Sequence, residues 1–147
     1  MKKIISLMLS FVLISSANAF AVSIDDINSV ISDTEKYLYD NSKTPAVSSI
    51  GGEWPIMGLS RNDGDIPVGY YENYYNNVVN YVKECGGVLH NKKYTEYSRV
   101  ITALTSIGKD PQNVGGYNLL LPLGDFEKTT WQGINGAIWA LIALDCG

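Results

Sequence analysis

Between Gly69 and Gly87 the chain reads GYYENYYNNVVNYVKECGG. Tyr71, Tyr74, Tyr75, Val78, Val79 and Val82 fall at i, i+3, i+4, i+7, i+8 and i+11, positions that share one face of an α-helix. Glu72, Asn73, Asn76, Asn77, Asn80 and Lys83 fall on the other face. Gly86 and Gly87 accept the left-handed backbone that commonly ends a helix. The spacing predicts an amphipathic helix whose tyrosines pack inward with their hydroxyls at the edge of the core. A second use for such rings, together with Trp54, is as a stacking platform for a sugar. At this spacing packing is the expected role.

The same period runs outward in both directions. In TEYSRVITALTSIGKDP, residues 95–111, Tyr97, Val100, Ile101, Leu104 and Ile107 make the apolar stripe. Thr95 is the expected cap, Gly108 the terminator, and Pro111 prevents the helix from resuming. Upstream, Ser23 with Asp26 three residues later has the form of a capping box, with Val22 placed to staple onto Ile27. Ile27, Val30, Ile31 and Leu38 extend that helix to about Asn41. Residues 42–52 read as a loop, followed by a short helix around Trp54 with Pro55 in its first turn. After the glycine-rich link NVGGYNLLLPLGD, residues 113–125, the closing segment runs apolar from Ala137 to Leu144. A helix apolar all the way round is expected to be buried on every side. No stretch alternates with period two over a useful length, so an all-α fold is expected. ITALTSIG and IWALIALD repeat one frame, with Leu104 and Leu141 37 residues apart. That period fits helix-pair repeats.

The N-terminus has a different character. Lys2 and Lys3, the apolar run Ile4–Ile14, and Ala17-Asn18-Ala19 together form a signal peptide, expected to occupy residues 1–19 and to leave one domain over 20–147. The run is too short to span a bilayer as a helix, which takes about 20 residues, so no membrane span is expected after cleavage. The expected location is secreted or cell-surface. The formal net charge is −4 and becomes more negative once both lysines are removed. An acidic domain without a basic cluster is a poor partner for nucleic acid. Cys85 and Cys146 permit a single disulfide. His90 is the only histidine, too few nitrogen ligands for the usual zinc sites with Cys85. No metal or cofactor is expected.

GGEWPIMGLSR, TEYSRVITALTSIGKDPQNVGGYNLL and WQGINGAIWALIALD together resemble the terpenoid cyclase and protein prenyltransferase superfamily, in its exported bacterial branch with prenyltransferase/squalene-oxidase-type repeats. QGINGAIW is similar to that group's Gln-x-x-x-Gly-x-Trp element, with Trp139 displaced by one. The resemblance covers Gly51 to Asp145 and implies part of an α/α toroid, a ring of inner and outer helices around a lumen. It leaves three readings of the uncapped closing helix: further chain completes the ring, another chain such as a second copy in a homo-oligomer completes it, or Leu141 and its neighbours fold back differently.

The superfamily's chemistry does not carry over. The Asp-x-Asp-Asp acid of the cyclases is matched only by Asp63-Gly64-Asp65, with Ile66 in the last place and a turn-like context. Asp25-Asp26-Ile27-Asn28-Ser29 lacks the final acid of a diphosphate-ionising motif, and Asp145-Cys146 lacks the spacing and the histidine of the zinc site. No catalytic residue is therefore assigned. The resemblance implies a non-catalytic module that binds a small molecule or a surface protein, with Trp54, Tyr74, Tyr75, Trp139, Glu96 and Arg99 as candidate ligand-facing residues. The alternative is part of a cyclase-type enzyme whose acid lies outside this chain.

Overall fold

The computed structural model describes residues 22–62 and 64–147, the side chain of Ile50 excepted. The signal-peptide reading and Asp63 lie outside these residues. Among the described residues there are six α-helices, one 3-10 turn and no strand, so the fold is all-α. None of these helices is long and apolar enough to cross a membrane.

The chain divides into two compact units, residues 1–33 and 34–147. In the first, the described residues open helix α1, Ile24–Asn41. The capping box forms as expected: Asp26 N donates to Ser23 Oγ at 3.1 Å, and Ser23 N and Oγ donate to the Asp26 carboxylate at 3.2 and 2.6 Å. Those bonds to the ionised form hold the Asp26 carboxyl below its ordinary value.

In the second unit, α2 spans Ile50–Leu59, α3 Tyr70–Glu84, α4 Thr95–Ser106, α5 Phe126–Thr130 and α6 Ile134–Asp145, with a 3-10 turn at Leu121–Gly124. The core is built on α3 and α4. α3 buries Tyr70, Tyr74, Val78 and Val82, a strict i+4 row, while Tyr71, Tyr75 and Val79 lie on its half-buried flank. The face predicted from the sequence is therefore rotated by a fraction of a turn. α4 buries Tyr97, Val100, Ile101 and Leu104 as the period requires, together with Ser98 and Ala103. Both helices end in Schellman motifs. Gly87 N donates to Val82 O at 2.8 Å after α3, and Lys109 N donates to Leu104 O at 2.9 Å after α4.

Three local expectations are corrected. α2 begins at Ile50, so Pro55 is interior rather than in the first turn. The link after α4 contributes to the core: Val114 and Tyr117 close a tight turn over Gly115 and Gly116, and Val114 and Leu119 are fully buried. His90 organises a turn, its Nδ1 accepting from Lys92 N and Lys93 N at 3.0 Å each. Cys85 and Cys146 are both free thiols.

The third correction concerns α6. It buries only Gly136, Ala140 and Ala143 and leaves Ile134, Ile138, Leu141, Ile142 and Leu144 exposed. Small residues at i, i+4 and i+7 let the helix lie close against α4 and α5. A Cβ at Gly136 would sit 2.0 Å from the Thr129 carbonyl oxygen, so no side chain fits there without moving backbone. Close approach of one narrow stripe takes the place of burial all round.

Candidate functional site

The site begins with a carboxylate that has no solvent contact. Glu53, in the first turns of α2, is 0% exposed. Its Oε1 accepts from Ser48 N at 2.6 Å and from the Tyr74 hydroxyl at 3.3 Å. Its Oε2 accepts from Ser49 N at 3.0 Å and from Arg99 Nε at 3.0 Å. Glu53 thus supplies acceptors for the N–H groups just ahead of α2 and ties that start to α3 and α4. Four donors on one carboxylate satisfy its acceptor sites, which is the condition for burying a charge.

A second carboxylate shares the arginine. Glu96 Oε2 accepts from Arg99 Nη2 and, at 2.6 Å, from Ser48 Oγ. Ser48 adopts a left-handed backbone, φ 57°, unusual for a residue with a side chain. From there its N–H and its hydroxyl reach Glu53 and Glu96 respectively. The Glu96 and Arg99 side chains are only 15% and 13% exposed, so the i, i+3 spacing does not produce an ordinary surface pair. It produces the rim of a buried ionic cluster with one positive and two negative charges.

Beside Arg99 opens a cleft of about 340 Å³ lined by Trp54, Thr95, Arg99, Gln132, Asn135 and Trp139. That is within the size of pockets that take small molecules, roughly 300–1,000 Å³. The two indoles meet edge to face, 5.1 Å apart and at 72°, and form a corner. Gln132 Oε1 accepts from Thr95 Oγ1 at 2.9 Å and from Thr95 N at 3.3 Å. Thr95 was the expected cap of α4; the acceptor for its N–H instead comes from Gln132. The partner is 37 residues away, the same offset that relates the repeated frames of α4 and α6.

Of the candidates from the sequence, Trp54, Trp139 and Arg99 line the cleft and Glu96 anchors the arginine. Tyr74 stands behind Glu53, fully buried. Burial first, and the adjacent Glu53 carboxylate second, push its hydroxyl well above the usual tyrosine range, so it remains a donor. Tyr75 lies on the flank of α3, with Lys109 Nζ 4.7 Å from its ring centroid. Neither tyrosine lines the cleft. Gln132 and Asn135 were not singled out, although Gln132 opens the repeat-like element QGINGAIW, and Thr95 was expected only as a helix cap. Asp65 is exposed, and Arg61 is exposed beyond the end of α2. No group of three or more His, Cys, Asp or Glu able to hold a metal occurs among the described residues.

No family model matches the chain, and neither does any curated protein or solved structure.

Proposed function

We propose that the chain is an exported helical module, part of an α/α toroid of the terpenoid cyclase and protein prenyltransferase type, that binds a small molecule without transforming it. The observation that carries the binding reading is the lining of the Trp54–Trp139 cleft: two indoles, two amides, a hydroxyl and a guanidinium. These groups stack and hydrogen-bond, and the carboxylates nearest the arginine are engaged by it. The toroid reading is supported by the helices that carry the repeated frame, α4 and α6, which pack against each other. The export reading is supported by the lysines, apolar run and small-residue cleavage pattern of residues 2–19.

Tryptophan fluorescence tests the binding reading. Trp131 is 59% exposed and does not line the cleft, so a Trp131→Phe chain reports on Trp54 and Trp139. A panel of neutral, cationic and anionic small molecules is expected to contain at least one that shifts this emission saturably, with the response lost in Trp139→Ala. Silence across the whole panel overturns the reading.

The exposed side of α6 is where we place the neighbour that continues the ring, supplied by a second copy when this chain is alone. Light scattering on the size-exclusion peak is expected to give a mass above the monomer, falling to the monomer in Leu141→Lys. A wild-type monomer at tens of micromolar overturns that placement.

A further inference from the structure

We infer that the ligand of the Trp54–Trp139 cleft is a neutral sugar ring carrying an acetamido group. The inference rests on the binding reading above and narrows it by charge and by donors. Arg99 faces Glu53 and Glu96, so the cluster beneath the cleft carries one negative charge in excess. An anionic ligand would meet that excess, whereas a cationic one would have to approach past the guanidinium, the one charged group in the lining, to reach carboxylates that it already engages. A neutral molecule avoids both penalties.

The lining residues carry more uncommitted donors than acceptors. Both bonds from Thr95 fall on Gln132 Oε1, which leaves the Gln132 Nε2 amino group to donate. Arg99 commits Nε and Nη2 to its carboxylates and retains Nη1. Trp54 and Trp139 each carry an indole N–H, and Asn135 adds a further amide. A strong neutral acceptor matches this set, and an amide carbonyl is the strongest that a sugar commonly bears. The indole corner suits the rest of such a group, with the C–H face of the ring against one plane and the acetamido methyl against the other. At about 340 Å³ the cleft admits one ring with its arm.

The test titrates the full Trp131→Phe chain with N,N′-diacetylchitobiose, cellobiose, deacetylated chitobiose and glucuronate, reading tryptophan emission and binding heat. Saturable binding of the acetylated sugar is expected, at least about tenfold tighter than the other three. Gln132→Glu keeps the acceptor for Thr95 and places a negative charge near the start of α4, where it is tolerated, but removes the Nε2 donor. It is expected to weaken the acetylated sugar about tenfold or more, roughly the discrimination one lost charge-independent donor gives, with the unfolding transition unchanged. Equal binding of glucuronate or of the deacetylated sugar overturns the inference. So does acetylated-sugar binding that survives Trp139→Ala but is lost in Tyr117→Ala, since Tyr117 lines a separate cleft with Tyr94 and Tyr97. A panel compound that binds while the acetylated sugar does not overturns this inference alone. No response to any compound overturns the binding reading with it.

Discussion

Arg99→Met is expected to lower the free energy of unfolding by about 3–5 kcal/mol, the usual consequence of stranding one partner of a buried ion pair. In a domain whose total stability is about 5–15 kcal/mol, that brings the folded state close to failure. The reason is the position of Glu53. Its carboxylate is 0% exposed, and among the described residues Arg99 is the one cation bonded to it; its other partners there are two backbone N–H groups and a hydroxyl. Methionine fills much of the volume, so the loss is electrostatic rather than a cavity. Lysine restores a charge but not the planar fork that serves Glu53 through Nε and Glu96 through Nη2. Arg99→Lys is therefore expected to fall between methionine and wild type. The second arm is Glu53→Gln on the Arg99→Met background, which removes the orphaned charge and should recover part of the loss. Chemical denaturation with an unchanged m-value checks all three. A loss below about 1 kcal/mol for Arg99→Met, or no recovery in the double variant, would show that the cluster behaves as an exposed one.

How much of this was legible in the sequence depends on the range of the interaction. α3 and α4 were readable because their apolar residues recur at helical spacing and glycine follows their ends; α5 was not foreseen, being only five residues long. Val78, Val82, Val100, Ile101 and Leu104 are all fully buried where the period puts them. Tyr70 was missed because the stripe on α3 is a strict i+4 row, and a sequence with tyrosine at 70, 71, 74 and 75 supports two faces about equally. α6 was misjudged because composition records how apolar a helix is, not which stripe it buries. Gly136, Ala140 and Ala143 win by allowing close approach, while the larger aliphatics remain outside. The ionic cluster was half legible. Glu96 and Arg99 stand at a local spacing, but their meaning comes from Glu53 and Ser48, which are 46 and 48 residues from them along the chain. The Gln132 contact to Thr95 is equally non-local. A cleft assembled from the starts of three helices leaves little trace in any one of them.

Raising the pH above 10 is expected to unfold this protein, with Tyr74 as a principal cause. Its hydroxyl is fully buried beside the Glu53 carboxylate, and both burial and that negative charge oppose ionisation. In the unfolded chain the same group titrates near 10. Between that value and its raised folded value the native state holds a proton that the unfolded state has lost. The unfolded state binds fewer protons there, so stability falls as pH rises. It is fully present below 10 and declines above it, by about 1.4 kcal/mol per pH unit for one such group. Burial raises Tyr70, Tyr71 and Tyr97 in the same direction, which steepens the slope. Tyr74→Phe removes one bond at neutral pH, a loss of about 1 kcal/mol, but should flatten the alkaline slope by the increment of a whole proton. The two stability curves then converge and cross near pH 11. Equal slopes in wild type and Tyr74→Phe would mean that the hydroxyl reaches water in the folded state, and the packing of α3 against Glu53 would have to be redrawn.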